Sequence, residues 1–465
     1  MNNSERFYGD NADIAAQASQ GAVAQIRVCG EHSIEMLAKV FSRPRALLGA
    51  GGNTVLYGWV RDQDGKRVDE VLVNIYRAPR SYTGEDGADI SCHGGAAAAG
   101  AILETLRKAG FKDALPGEFT FRAFLNGKID LTRSESVMEL VSARTKNSLE
   151  HAVKRLSGTL EREIKAIRGK LLEAVSAVEL FLDYPEDEIE APPLLFAQAA
   201  EEVLQKLKKL AASYERERLF LEGALVVIAG RPNAGKSSLF NALLNEDRSI
   251  VTEIPGTTRD WIEASVAIEG IPVRLVDTAG LRDSDQEVEI LGIERSKSLA
   301  EEADSILYIV DSCIGLDDEE KKFLSAHKNN SLILVWNKID CVEAGSAPPM
   351  EKNGNNFPVV PISAANGSGL SELCASIGSL LLQKTHMDAY QTSGGAGLGT
   401  LRQKELTEKA VSMLEEALLL AKNGQSLDII APLLRESLNA LGEITGEVST
   451  ADVLEIMFSR FCLGK

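Results

Sequence analysis

The sequence has few of the features that mark secreted, membrane-spanning or metal-binding proteins. Its 465 residues include six cysteines with no C-x-x-C pair and no histidine cluster, so neither a zinc site nor a disulfide framework is indicated. The N-terminus lacks a basic stretch followed by an apolar one, and no run of about 18 apolar residues occurs. We therefore expect a cytoplasmic protein with reduced thiols and no membrane segment.

A surplus of positive charge is also missing. The chain carries 50 basic and 68 acidic side chains, a formal net charge of -18. This balance argues against broad binding to nucleic acid or to an anionic membrane, so any RNA contact must be local or shared with a partner. The length predicts two or three domains, because single cores rarely grow past about 250 to 300 residues.

What the sequence does contain is a phosphate-binding loop between a predicted strand and a predicted helix. Residues 230–237 read GRPNAGKS and fit G-x-x-x-x-G-K-[ST], in which backbone N–H groups wrap phosphate oxygens at a helix N-terminus. The apolar run ALVVIAG before it and the amphipathic segment after it make a chance glycine-rich turn the weaker explanation. Lys236 would neutralise the β- and γ-phosphates, and Ser237 would hold magnesium.

Further motifs follow in the order that a GTPase needs. Asp277 ends an apolar strand in DTAG, where it can reach magnesium through water while the Gly280 amide meets the γ-phosphate. Asp340 of NKID can accept both N–H groups of guanine, which adenine cannot offer. Thr258 of VTEIPGTTRD is the candidate for a second hydroxyl on magnesium. The predicted GTP contacts are Asn233, Ala234, Gly235, Lys236, Ser237, Ser238, Thr252, Glu253, Ile254, Pro255, Gly256, Thr257, Thr258, Asp277, Thr278, Ala279, Gly280, Asn337, Lys338, Asp340, Ser363, Ala364 and Ala365.

Two positions indicate an unusual route to hydrolysis. Leu281 follows DTAG, and an aliphatic side chain cannot orient the attacking water as a glutamine does. Asn233 inside the loop offers an oxygen beside the β/γ bridge, where a monovalent cation could supply the charge of an arginine finger. A local turn-stabilising asparagine is an equally good explanation of Asn233 from the residues alone.

The sequence before the phosphate loop has two parts, an α+β pattern followed by a helical pattern. Residues from about 12 to 120 mix short β-branched runs with two helical stretches, Ser33 to Val40 and Ala96 to Ala109, and predict an α+β domain. Two polar segments there, 77–95 and 114–132, are either specific sites or turn chemistry, and spacing alone favours turns. Cys92 and His93 should point to opposite faces of a strand, so they are an improbable ligand pair.

Helical spacing extends from about Ser134 to Arg218 and resumes from Leu401 to Phe461 after a polar, glycine-rich connector. The acidic segment 181–193 is read as a solvated hinge, with a metal role as the alternative. Between the helical parts, residues 220–383 alternate strand and helix and predict a parallel doubly wound sheet. We infer that this domain interrupts a helical domain. The predicted apolar core stripe of the first helical part comprises Leu140, Leu149, Val153, Leu156, Leu160, Ile164 and Ile167.

The motifs GRPNAGKSSLFNAL, IPGTTRD, DTAGLR and FCLGK, with SYTGED, CHGG, PGEFT and RAFLNGK, resemble those of the MnmE (TrmE) tRNA-modification GTPases over nearly the whole chain. The resemblance implies an α+β N-terminal domain, an all-α helical domain and an inserted α/β P-loop GTPase domain. It implies a homodimer that acts with the flavoprotein MnmG, in a heterotetramer or larger complex, on carbon five of the wobble uridine of certain tRNAs. The predicted domains are 1–122 (folate-binding-like, dimerising), 123–218 (helical), 219–384 (Ras-like GTPase) and 385–465 (helical).

The resemblance also implies roles for single residues. GTP would be the substrate, with potassium, magnesium and a tetrahydrofolate derivative, in the 5-formyl or methylene form, as cofactors. Asp89 stands where the family usually has glutamate, and ASQGAVAQIRV lacks the usual Pro-Pro-Gly-x-Gly-Gly turn. The implied sets are Asn233, Thr252, Ile254 and Thr257 for potassium, Ser237 and Thr258 for magnesium, Glu289 and Cys462 for catalysis, and Arg27, Asp89, Lys128 and Lys465 for folate.

A ribosome-assembly or RNA-binding GTPase is the alternative interpretation, because such proteins also combine NKxD with leucine after DTAG. They usually append a basic RNA-binding module, whereas the C-terminal part of this chain is an acidic-to-neutral helical segment.

Overall fold

The computed structural model describes two compact units that draw on separated parts of the chain. One unit comprises Met1–Met138, Leu156–Leu172 and Arg435–Lys465, and the other comprises Glu139–Arg155 and Glu173–Leu434. The described residues are 13–16, 21–183, 193–246, 262–277, 302–326, 332–342, 357–383, 395–448, 451–459, 461 and 464. The predicted switch residues 252–258, residues 278–281, Glu289, Cys462, Lys465 and most of the acidic segment 181–193 lie outside them.

The first unit contains a six-stranded sheet in the order β3-β4-β5-β2-β1-β6. Alternation along β4 shows how the sequence selects its core face, since Val71, Val73 and Ile75 are buried while Leu72 between them is 47% exposed. The strands are β1 Asp13–Ala16, β2 Val23–Cys29, β3 Thr54–Arg61, β4 Arg67–Tyr76, β5 Gly87–His93 and β6 Lys112–Asp113. The helices packed with them are α1 Ser33–Val40, α2 Pro44–Gly49 and α3 Ala96–Ala109.

The predicted helices Ser33 to Val40 and Ala96 to Ala109 are confirmed. Cys92 and His93 also lie as predicted, because Cys92 is buried and the imidazole of His93 is 68% exposed and bonded to Asp69. The second polar segment, in contrast, forms a helix, α4 (Glu118–Leu125), that turn chemistry did not predict. Its start is fixed by the Glu118 carboxylate, which accepts from the backbone N–H of Leu115 at 2.7 Å.

The end of the chain packs against α4 in the same unit. Phe458 of α14 (Ala451–Ser459) is fully buried, and its ring meets Phe121 edge-on with centroids 5.1 Å apart. Phe461 lies beside Phe458 at a centroid distance of 5.1 Å. This aromatic cluster holds the last described residues against the N-terminal part of the chain.

Long helices occupy both sides of the phosphate-loop segment in the sequence. Of the predicted core stripe, Leu160, Ile164 and Ile167 are buried, whereas Leu149 and Val153 are 42% and 47% exposed, so the prediction is wrong for those two residues. The reason is that the helix carrying them buries the polar side chains of Ser148 and Arg155 instead. These helices are α5 Leu131–Ser142, α6 Lys146–Leu156, α7 Thr159–Asp183, α8 Pro193–Leu221, α12 Leu401–Lys422 and α13 Leu427–Thr445.

The apolar faces of α8 and α12, before and after the α/β segment, pack against each other in the second unit. Leu207 and Leu414 are fully buried, and Lys208 pairs with Glu415 at 2.6 Å. No helix in the described ranges is long and apolar enough to cross a membrane.

The second sheet has the order β12-β11-β10-β7-β9-β8. It is parallel except for its edge strand β8, which runs antiparallel to β9, so the prediction of a purely parallel sheet is wrong at this edge. Glu269 and Gly270 form the tight connection with φ of 50° and 75°, and a turn this short permits only antiparallel pairing. The strands are β7 Ala224–Gly230, β8 Ile262–Ile268, β9 Ile271–Asp277, β10 Ser305–Asp311, β11 Leu332–Asn337 and β12 Val359–Pro361, and the helices are α9 Lys236–Glu246, α10 Asp318–Ala326 and α11 Leu370–Gln383.

Candidate nucleotide-binding site

The loop between β7 and α9 has the backbone of a phosphate cradle. Gly230, Asn233 and Gly235 have φ of 137°, 62° and 101°, values that favour glycine or asparagine. A Cβ on Gly230 would lie 2.3 Å from the carbonyl oxygen of Ile309. Strand packing and backbone conformation therefore require glycine at 230, and backbone conformation favours it at 235.

Lys236 and Ser237 begin α9, where backbone N–H groups face the loop. Lys236 Nζ donates to the carbonyl oxygens of Gly230 and Arg231 at 2.9 and 2.8 Å, which holds the ammonium over the cradle. Ser237 Oγ donates to Asp277 Oδ2 at 2.9 Å. These two oxygens are the hard ligands that magnesium prefers, and the fold brings them together although they are distant in sequence.

Asn337, at the end of β11, connects three of the predicted motifs. Its Nδ2 donates to the carbonyl oxygen of Ala234 at 2.8 Å, and its Oδ1 accepts from the N–H of Ala364 at 3.0 Å. The side chain is buried, so both bonds are protected from water. Asn337 is also one of the predicted GTP contacts. Its two hydrogen bonds show that it positions the phosphate loop and the last recognition loop.

Lys338 and Asp340 lie in the turn that follows. Lys338 Nζ bonds to Asn233 O at 2.8 Å and to Asp311 Oδ2 at 2.7 Å, and the Asp311 bond raises the pKa of Lys338 above its ordinary value. The hydrogen bond with Ser363 lowers the pKa of Asp340. Asp340 is therefore an ionised, solvent-facing acceptor, the form needed to receive two N–H groups from a guanine ring.

Two positioning residues were missed from the sequence. Asp311 anchors Lys338, as above, and pairs in register with Asn337 across β10 and β11. Arg231 of the phosphate loop bonds to Glu320 at 2.6 Å, and Glu320 is 3% exposed. The acidic run LDDEE at 316–320 was the available signal, but charge runs on a helix start are common for capping alone.

A second polar cluster lies in the first unit. Arg27 Nε donates to Asp89 Oδ1 at 2.9 Å, and Tyr76 Oη donates to Asp89 Oδ2 at 3.2 Å. Burial alone would lower the pKa of Arg27, but the hydrogen bond to Asp89, the charge of Asp89 and the nearby tyrosines together raise it. Arg27 Nη1 also donates to the carbonyl oxygen of Gly464 at 3.2 Å, so the end of the chain reaches the pair formed by two predicted folate residues.

The two polar segments of the first unit meet each other. Lys128 Nζ donates to the carbonyl oxygen of Pro79 at 2.8 Å, and Tyr82 Oη and Thr120 Oγ1 lie 3.0 Å apart. Beside them is a cavity of about 460 Å³ whose lining includes Glu85 and Arg122. Isolated turn chemistry does not explain this convergence, and Tyr76 and Tyr82 are additions that the sequence reasoning missed.

A third polar cluster joins helices α5, α6 and α8. Arg155, fully buried on α6, donates through Nε to Glu139 Oε2 at 2.6 Å and through Nη1 to Glu217. His151 Nδ1 bonds to Glu217 Oε2 at 2.8 Å while its ring stacks on Phe220 at 4.6 Å. This is the polar face that α6 buries in place of Leu149 and Val153.

Two family models and many known proteins match this chain. The family model "GTP-binding protein TrmE N-terminus" matches residues 12–128, and the model "MnmE helical domain" matches residues 131–462. Proteins named tRNA modification GTPase MnmE from Treponema denticola and Carboxydothermus hydrogenoformans are each 41% identical, over 98% of this chain and 98% and 99% of their own lengths. The protein of that name from Borreliella burgdorferi is 42% identical over 99% of this chain and all of its own. The chain belongs to the MnmE (TrmE) family of tRNA modification GTPases.

Proposed function

We propose that this GTPase requires potassium and, with the flavoprotein MnmG, adds an aminomethyl or carboxymethylaminomethyl group to carbon five of the wobble uridine of certain tRNAs. The one-carbon unit would come from a tetrahydrofolate derivative. The observation that carries the proposal is the junction at Asn337, which joins the phosphate loop to the guanine-recognition motifs in a chain similar to its relatives over nearly its full length.

Magnesium fits the residues at the phosphate loop. Ser237 Oγ and Asp277 Oδ2 are adjacent oxygens of the type that magnesium binds, with Thr258 proposed as a further ligand. When bound, the ion would neutralise charge on the phosphate oxygens. The chain's own residues position the nucleotide: Lys236 faces the phosphates, and Asp340 accepts from the base.

Potassium would lie near Asn233, with Thr252, Ile254 and Thr257 as the other proposed ligands. Asn233 supports this because it is exposed on the loop and holds a positive φ of 62°. Its backbone oxygen already accepts from Lys338, which leaves the amide side chain as the group available to a cation.

Folate would bind in the first unit. Arg27 and Asp89 form a paired donor and acceptor there, and the contact of Arg27 with Gly464 supports a role for the adjacent Lys465 and for Cys462. Lys128 is the fourth proposed contact. The ammonium group of Lys465 could pair with a folate carboxylate or hydrogen-bond the folate ring.

We further propose that the chain acts as a homodimer, with functional domains 1–122, 123–218, 219–384 and 385–465. Co-purification tests the partner, because a bound flavoprotein supports this function and a ribosomal subunit in its place would contradict it.

The potassium requirement is tested by the rate of GTP hydrolysis in potassium and sodium chloride at equal ionic strength. We expect stimulation by potassium only, lost in Asn233→Ala because the cation then lacks a side-chain oxygen. Asn241→Ala, an exposed asparagine on α9, is the matched control and should keep the stimulation. Equal rates in both salts would contradict the proposal, as would an Asn233→Ala protein that still responds to potassium.

Glu289 is the proposed group that acts on the attacking water, since Leu281 cannot. We expect Glu289→Ala to lower turnover by about 10² to 10⁴ with little change in nucleotide affinity. Glu287→Ala, two residues away, is the control and should turn over normally. A wild-type rate in Glu289→Ala would remove the assignment.

A further inference from the structure

Two cysteines lie at the mouth of the guanine-recognition turn. Cys313 follows the end of β10 and Cys341 follows Asp340, and both are exposed. The other described cysteines are buried or part-buried, namely Cys29, Cys92 and Cys374. Exposure is unusual for this residue type, which normally packs inside as a small hydrophobe.

The sheet brings these cysteines together. Asp311 and Asn337 are register partners at the ends of the parallel strands β10 and β11, and the N–H of Ser312 donates to Asn337 O at 2.9 Å. The segments that follow the two strands both turn at this edge of the sheet. In the first, the N–H of Cys313 donates to Asp311 Oδ1 at 2.9 Å. The N–H of Cys341 bonds to Lys338 O at 3.0 Å, which closes the second turn.

The Cys313 and Cys341 side chains are neighbours at that edge. Cys341 Sγ donates to Asp340 Oδ2 at 3.4 Å. This hydrogen bond with the Asp340 carboxylate is the main reason that the Cys341 pKa is raised, and the nearby Cys313 side chain adds to it. Cys341 is therefore bonded to the guanine-recognition carboxylate and lies beside a second thiol.

A metal site is the other chemistry that paired thiols offer, and it is not favoured here. Within the described ranges, no group of three His, Cys, Asp or Glu side chains is arranged to hold a metal ion. Two neighbouring exposed thiols, without further ligands, are instead suited to oxidation by thiol–disulfide exchange.

We propose that Cys313 and Cys341 form a reversible intrachain disulfide that restrains the guanine-recognition turn and slows nucleotide release. The restraint follows from position, because the disulfide would tie the residue after Asp340 to the neighbouring strand end. Release of the base requires Asp340 to move away, and a covalent link there opposes that local opening. The effect on release rests on the proposed role of Asp340, whereas formation of the disulfide does not.

The oxidant is a low-molecular-weight disulfide such as oxidised glutathione. The Cys313 thiolate attacks one glutathione sulfur, the glutathione S–S bond breaks, and one glutathione leaves as a thiolate. The Cys341 thiolate then attacks Cys313 Sγ and displaces the second glutathione. The protein loses two protons and two electrons, and oxidised glutathione is reduced to two thiols.

The test uses the full-length protein in buffers of fixed reduced-to-oxidised glutathione ratio. Free thiols are blocked with N-ethylmaleimide, and tryptic peptides are analysed by mass spectrometry. Trypsin cleavage at Lys321, Lys322, Lys328 and Lys338 separates the two cysteines, so a disulfide appears as two joined peptides. Release of a fluorescent GDP analogue is measured on the same samples before and after dithiothreitol.

We expect the joined peptide and a release rate about three- to tenfold slower, both reversed by dithiothreitol. Cys313→Ser and Cys341→Ser should each abolish the joined peptide and the redox effect, while Cys374→Ser on α11 should keep both. Cys341→Ser keeps a hydrogen-bond donor to Asp340. A lost redox effect in this variant therefore reports loss of the disulfide and not loss of that hydrogen bond.

Glutathione adducts on single cysteines without the joined peptide would overturn the disulfide. A joined peptide with unchanged release would overturn its link to the nucleotide site. Binding of the GDP analogue by the reduced protein is recorded in parallel, and its absence would count against the GTP site and not against the thiol pair.

Discussion

Gly235 stands where the phosphate loop passes closest to the guanine-recognition motif. A Cβ there would lie 2.1 Å from Asn337 Nδ2, the atom that donates to Ala234 O. Asn337 is held from its other side by the N–H of Ala364, so it cannot give way without breaking a buried hydrogen bond. One glycine thus permits the contact that joins two recognition motifs.

We expect Gly235→Ala to weaken binding of a fluorescent GDP analogue by about tenfold or more, because the alanine both strains the backbone and displaces Asn337. Gly315→Ala is the matched control. Gly315 also has a positive φ, 76° against 101°, but a Cβ there meets nothing within 4 Å. Equal affinities for the two variants would show that the position of Asn337 does not require residue 235 to lack a Cβ.

The helices α5, α6 and α8 are joined by charges instead of by an apolar seam. Arg155 of α6 lies between Glu139 of α5 and Glu217 of α8, all buried. Gly397 and Gly399, before α12, approach this cluster so closely that a Cβ would lie 2.6 Å from Glu217 Cγ or 2.1 Å from Glu139 Oε1. The end of the glycine-rich connector is therefore packed against the helices.

Removing one charge from this cluster should be costly. Burial alone would raise the pKa of Glu217, but the hydrogen bond from His151 and the charge of Arg155 lower it below its ordinary value of 4.5. A carboxylate whose pKa is lowered by folding stabilises the folded state above pH 4.5, and this contribution is lost as the pH falls below that value. We expect Glu217→Gln to destabilise the protein at pH 7 by about 3 to 5 kcal/mol.

Urea unfolding followed by circular dichroism at pH 7 and at pH 4 measures this difference. The deficit of Glu217→Gln should shrink at pH 4, because Glu217 of the unfolded wild-type chain is then partly protonated and the stabilisation from its lowered folded-state pKa begins to be lost. Glu222→Gln on the neighbouring turn is the control, because its side chain is 64% exposed and its loss should cost less than about 1 kcal/mol. A deficit that is the same at both pH values would contradict the charge argument.

Across the whole molecule, the C-terminal end contacts a site built from N-terminal residues. Phe458 and Phe461 hold it in the aromatic cluster with Phe121, and Gly464 accepts from Arg27. The GTP site uses none of these groups. The two activities of the proposed function should therefore be separable at the last residues of the chain.

Deleting the last four residues should leave GTP hydrolysis near the wild-type rate and abolish modification of the wobble uridine. The deletion keeps both aromatic anchors, Phe458 and Phe461, and removes Cys462 and Lys465, which are proposed to act at the folate, together with Leu463 and Gly464. Mass spectrometry of tRNA nucleosides from a strain carrying only the truncated protein measures the outcome, with the full-length chain as control. Normal modification would show that the tail is structural, and loss of both activities would mean that its main role is folding.

Much of this molecule could be predicted because its strongest signals are local. The phosphate loop, DTAG and NKID each lie within a few residues, and their chemistry requires those residue types in that spacing. Strands β2 to β5 of the first sheet, the six strands of the second sheet and two N-terminal helices were likewise predictable from period-2 and period-3.6 patterns. The antiparallel direction of the edge strand β8 was missed because its turn is Glu-Gly, a weaker hairpin signal than Asn-Gly or Asp-Gly.

The sequence by itself determined the nucleotide chemistry, since the motif residues carry their own donors and acceptors. Only the tertiary structure decided that Asn337 bridges two loops, that Arg155 is buried between two glutamates, and that Cys313 and Cys341 follow neighbouring strand ends beside Asp340. Each of these contacts joins residues far apart in the chain. Their geometry depends on strand order and helix packing, which leave no fixed spacing in the sequence to read.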